Sequence, residues 1–149
     1  MKKLLLFLVL TCTSLNVQAF HLPNVLVFSE ADDQDSRDCN FSNAAGVAKA
    51  ESIFRQNRIQ INALSRYSFY INVNIIKLQN VNGCIANVHT KLYFNELVAF
   101  PTDPQKKSFM GVVIWEQSST ITSSSDIENK ILNRISTFAE QAISSAEKR

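Results

Sequence analysis

The sequence predicts an α+β two-layer sandwich: a mainly antiparallel sheet with two helices on one face, in the order β-α-β-β-β-α. Three observations carry that expectation. Residues 67–94 alternate apolar and polar side chains around Asn82-Gly83, the pattern of a half-buried hairpin. One stretch before this hairpin and one at the end of the chain space their apolar residues for helices. With 149 residues, 46% hydrophobic and 19% charged, the chain has the length and apolar content of one cored domain. Three Gly and three Pro exclude a collagen-like or low-complexity chain.

The start of the chain reads as an address. Met1-Lys2-Lys3 is basic, Leu4 to Leu10 is an unbroken apolar run, and Val17-Gln18-Ala19 has the small-x-small form of a signal-peptidase site. We expect residues 1–19 to be a cleaved signal peptide and residues 20–149 to form one α+β domain. The run is too short to span a bilayer, so no membrane span is expected. Leu10-Thr11-Cys12 departs from a lipoprotein cleavage box because Thr precedes the cysteine. Cleavage removes Lys2 and Lys3, which takes the 15 basic residues to 13, equal to the 13 acids. A neutral chain argues against nucleic acid as a partner. The expected location is the periplasm or the medium.

Asn24 to Phe28 is a short branched and aromatic run, a buried strand. Glu30 to Asp38 reads as an acidic loop. From Ser42 to Asn57, Val47, Ala50, Ile53 and Phe54 share one helical face, with Ser42 or Asn43 as the cap. Tyr67, Phe69, Ile71, Val73 and Ile75 then alternate with Ser68, Tyr70, Asn72 and Asn74. After the turn Ala86, Val88, Thr90, Leu92 and Phe94 alternate with Asn87, His89, Lys91 and Tyr93. If Asn82 and Gly83 are the two loop residues, Ile71 faces Phe94, Val73 faces Leu92 and Ile75 faces Thr90, with a bulge near Leu78. Glu96 to Phe100 stays apolar. Pro101 to Ser108 reads as a polar turn, Phe109 to Trp115 as another strand, and Thr120 to Ser125 as a loop. Ser125-Asp126-Ile127-Glu128 has the form of a capping box. It opens a helix whose stripe runs through Ile127, Ile131, Leu132, Ile135, Phe138, Ala139, Ala142, Ile143 and Ala146.

Cys39 and Cys84 are the two cysteines beyond the signal, and an even pair in an oxidising compartment predicts one disulfide. Cys84 has the parity of the buried side of its strand, and Cys39 sits just before the first helix. A helix packed on that side brings them together.

The pattern Tyr70-Ile71-Asn72-Val73-Asn74, Gly83-Cys84 opening a strand, Trp115 and a long terminal helix resembles a widespread group of small secreted proteobacterial proteins of unknown function. The element order is also similar to the periplasmic domains in the N-terminal part of TolB and in LpoB-type lipoprotein activators. That resemblance implies a domain that docks onto a partner protein.

Little in the sequence points to catalysis. His21 and His89 are the two histidines, with no G-x-S-x-G motif and no evident acid for His89. Neither a zinc ligand set nor a phosphate-binding glycine loop is present, so no metal or cofactor is expected. Glu30, Asp32, Asp33, Asp35 and Asp38 lack the glycine and spacing of a calcium loop. We read them as solvated acids beside a helix N-terminus. Trp115 is read as a core residue. Tyr70, Asn72, Ile76, His89, Lys91 and Tyr93 fall on the sheet face away from the helices and form the candidate interaction surface. The expected function is a non-catalytic periplasmic or secreted domain docking onto an envelope protein. The alternatives are a carrier of a small apolar ligand or lipid, and a periplasmic immunity or inhibitor protein.

Overall fold

The computed structural model describes residues 22–148. The expected signal peptide, Cys12 and His21 lie outside them. Eight elements follow in order: β1 (Asn24–Ser29), α1 (Gln34–Asp38), α2 (Asn43–Gln56), β2 (Gln60–Ile61), β3 (Tyr67–Leu78), β4 (Gly83–Phe100), β5 (Asp103–Ser123) and α3 (Ile127–Glu147). One mixed sheet has the strand order β2-β1-β3-β4-β5, with helices packed on it: an α+β fold. β1 is parallel to both β2 and β3, while β3-β4-β5 is an antiparallel meander. The uninterrupted apolar run of β1 suits a parallel position inside the sheet. α1 and α2 make the crossover from β1 to β3.

α2 and α3 bury Ala50, Ile53 and Phe54, and Ile131, Ile135, Phe138, Ala139, Ala142 and Ile143, against Phe69, Ile71, Val73, Ala86, Val88 and Leu92 of the sheet. Phe69 stacks on Trp115, whose ring meets Phe138 edge-on at 6.2 Å. Trp115 is thus partly buried against the core. The expected helical stripe of α3 is the buried one.

Several local expectations need correction. The β3–β4 register pairs Leu78 with Gly83 and Tyr67 with Phe94, so Ile71 faces Thr90, not Phe94. The loop is four residues, Gln79 to Asn82, because Leu78 stays in the ladder instead of bulging. The shift from the expected register is even, so every side chain keeps its face. Gly83 serves close approach: a Cβ there would stand 3.2 Å from the Ser123 carbonyl oxygen. The bulges lie on the β4–β5 ladder instead, at Leu92/Tyr93 and Ala99/Phe100. β5 takes in residues 103–108 of the expected polar turn and 120–123 of the expected Ser/Thr loop, because the β4 backbone pairs with them, and it leaves only 101–102 as the turn. The acidic loop contains helix α1, capped by Asp33, whose carboxylate accepts the Ser36 N–H at 2.7 Å. The capping box does not form: Asp126 is the cap of α3, left-handed at φ 59°, and makes no side-chain cap bond.

Candidate docking surfaces

The Cys39–Cys84 disulfide closes the end of the sheet that carries the β3–β4 turn, with a Cα–Cα distance of 6.3 Å. Asp32 works beside it. Its Oδ1 accepts the Asn43 N–H at 2.6 Å and so satisfies an orphan donor at the start of α2. Asp32 and Asp33 hold helix starts, Glu30 and Asp38 accept from the Tyr70 and Gln34 side chains, and no group of three or more metal-ligating side chains converges among the described residues.

The face away from the helices carries Tyr70, Asn72, Ile76, His89, Lys91 and Tyr93. The period of two places them there on β3 and β4. A polar chain runs across this face. Asn74 donates to Asn72 at 2.6 Å, Asn72 donates to the Tyr70 hydroxyl at 3.3 Å, and that hydroxyl donates to Glu30. Burial, and then the Glu30 hydrogen bond, raise the Tyr70 phenol above its usual range. Farther along β4 the structure supplies the acid that the sequence reading did not find. Glu116, brought opposite by β5, lies 2.5 Å from His89 Nε2 and 3.4 Å from Lys91 Nζ. The His89 hydrogen bond, followed by that of Lys91, holds the Glu116 carboxyl below its ordinary value. Glu116 lies 33 residues from Gly83 along a meander, and the position of the bulge decides which β5 residue reaches His89. Ile76 stands apart near the turn, 59% exposed. Phe28, Ser68, Tyr70, Tyr93, Asn95 and Gly111 line a shallow groove of about 520 Å³ on this face.

The second surface is one the sequence reading missed. β3 begins at Tyr67, opposite Phe94, but β4 runs on to Phe100 and β5 starts at Asp103. Residues 96–110 therefore run beyond β3 as a two-stranded arm, whose root is tied to the sheet by the Asn95 N–H donating to the Arg66 carbonyl at 2.6 Å. Leu97 faces Phe109 across the arm on the open-face side, and Glu96 faces Met110 on the helix side. Each face of the arm carries apolar side chains, Leu97 and Phe109 on one and Val98, Phe100 and Met110 on the other, among polar residues such as Glu96, Ser108 and Lys107. Phe109 is 74% exposed, and Leu97, Val98, Phe100, Met110, Val112 and Val113 are exposed beside it. The signal was present as apolar runs on both sides of Pro101 without polar alternation.

α3 ends at Glu147, level with the root of the arm. An apolar cleft of about 360 Å³ opens there, lined by Tyr67, Leu92, Phe94, Val112, Ile114 and Trp115 from the sheet and by Ser145 and Ala146 from the helix. No helix among the described residues is long and apolar enough to cross a membrane.

No family model matches the chain, and no curated protein matches it. Solved structures do. A dodecamer of a PelC variant from Paraburkholderia phytofirmans is 16% identical, with 88% of this chain and 93% of that chain covered, at a TM-score of 0.50. A second PelC dodecamer from that organism is also 16% identical over 88% and 92% of the two chains, at 0.49. The rare lipoprotein B of Shewanella oneidensis is 11% identical over 84% and 89%, at 0.25. The first of these establishes a likeness of fold.

Proposed function

We propose that this protein is a non-catalytic domain that works outside the cytoplasm by docking onto another protein of the cell envelope. The observation that carries the reading is the arm, which holds exposed apolar side chains on both faces with no second layer over it among the described residues. Exposed apolar surface of this extent is the mark of a contact site. The disulfide suits an oxidising compartment. The PelC variant of similar fold is a dodecamer, which supports reading exposed surface in this fold as protein contact. His89 and Glu116 lie on an open sheet face with Lys91 as the third member, and we read the three as a surface charge cluster.

The test is site-specific photocrosslinking in the native cell from two positions, Phe109 on the arm and Tyr93 on the open face. A discrete protein adduct from Phe109 supports docking through the arm. An adduct from Tyr93 alone transfers the role to the open face. No protein adduct from either position overturns the reading. A second reading, a carrier of a small apolar ligand, is favoured by the apolar lining of the cleft beside Ala146. Lipid that copurifies with the wild-type chain and is lost on Ser145→Trp would establish it.

A further inference from the structure

The arm and the cleft lie on the same side of the sheet. Because β4 and β5 alternate, the helix-side face of the arm reads, from root to tip, Phe94 with Val112, Glu96 with Met110, and Val98 with Ser108. Phe100 and Lys106 complete it at the tip, where the Lys106 ammonium lies 5.5 Å from the centre of the Phe100 ring. Everywhere else this side of β3–β4 is covered by α2 and α3. Beyond Glu147 the helix layer stops and the sheet continues, so among the described residues the sandwich is a single layer at the arm.

We propose that the missing layer is the same arm of a second copy, related by a two-fold axis, and that Phe100 of each copy enters the cleft of the other. The proposal rests on the docking reading above and names its partner. Three features select a second copy. A two-stranded apolar arm has the width of the surface that needs covering, and strands stack face to face in this way at about 10 Å. The order of residues along the arm is self-complementary. With the two arms antiparallel, the tip level of one lies over the root level of the other. Phe100 then meets Phe94, Val112 and Ala146, and Lys106 meets Glu147 at the end of α3, which is exposed. Finally, the helix-side face of the arm leaves Val98, Phe100, Met110 and Val112 exposed, a bare apolar surface that the described residues do not cover. The arrangement is isologous and closes on itself.

Sedimentation velocity of the purified, oxidised chain tests it, with three variants alongside wild type and near-ultraviolet circular dichroism to verify folding. Wild type should sediment as a dimer. Phe100→Asp should weaken the dimer about a hundredfold while leaving the fold intact, because Phe100 is exposed in the single copy. Lys106→Glu should weaken it about tenfold, and Glu147→Lys in the same chain should restore it. Rescue by reversal of both charges is not expected of residues that only support the arm. A dimer unaffected by Phe100→Asp overturns the proposal. A wild-type monomer whose arm crosslinks to a different protein overturns the second-copy assignment and leaves the docking reading standing. A wild-type monomer that floats with phosphatidylglycerol vesicles, and loses this on Phe100→Asp, overturns both.

Discussion

Glu116 answers both His89 and Lys91, and those contacts favour its charged form. A carboxyl whose folded-state value is depressed adds stability above its unfolded value and loses it as pH falls through the folded one. The ordinary value here is 4.5. Glu116→Gln should therefore be less stable than wild type at neutral pH, with the gap closing as pH drops below 4.5. Urea midpoints across that range measure it, and a gap that stays constant would assign the effect to packing. Asp32 acts at longer range, accepting the Asn43 N–H from eleven residues upstream. Asp32→Ala should cost about 1 kcal/mol, as loss of a helix cap does, read by urea denaturation. The sequence shows the acids near Asp32 as a cluster but not their roles. Whether Asp32 or Ser42 caps α2 depends on how α1 folds back, and α1 is too short to announce itself by periodicity. Parity alone puts His89 on the open face. Its acid could not be placed so, because one bulge between Leu92 and Tyr93 resets which β5 residue stands opposite.

Between elements, the disulfide joins the end of α1 to the start of β4 across 45 residues. Closing a loop of that length removes roughly 4 kcal/mol of unfolded-state entropy on the chain-entropy model. Reduction, or Cys39→Ala with Cys84→Ala, should lower the melting temperature accordingly, and calorimetry under oxidising and reducing conditions checks it. This pairing was legible because parity fixed the face of Cys84 independently of the register. The same parity survived a register error of four residues in the β3–β4 hairpin, since an even slip moves no side chain across the sheet. The length of β5 was not legible. Its Ser and Thr residues read as loop, and strand pairing with β4 overrides that local signal. The arm follows from this extra length. Over residues 96–100 the β4 backbone has β5 on one side and no strand on the other, whereas residues 84–92 are paired on both sides. In a single copy, amide exchange should be much faster along the arm than along residues 84–92, as measured by hydrogen–deuterium exchange with mass spectrometry. In the two-fold dimer the arm would gain protection, which Phe100→Asp would remove.

At the level of the molecule, the two-layer α+β class and both long helices could be read from the sequence, because amphipathic periodicity in α2 and α3 matches the apolar face of β3 and β4. The parallel part of the sheet was less legible. Val25-Leu26-Val27 signals a buried strand, but nothing local states that it lies between β2 and β3. That position comes from the crossover through α1 and α2, which returns the chain to pair β3 alongside β1. The arm likewise belongs to the whole, since its apolar side chains look ordinary until the helix layer is seen to stop short of them. The place of β1 has a temporal meaning. Among the described strands it is synthesised first, yet both of its neighbours come later, and its pairing with β3 spans about forty residues. The β3–β4–β5 meander needs only local contacts and can assemble without it. Pulse-labelled exchange during refolding should show β3 and β4 amides protected before those of β1. Until then the nascent chain carries Val25, Leu26, Val27 and Phe28 as an unpaired, sticky strand, and a cell making this protein has to shield that segment for as long as the ribosome takes to reach Ile71.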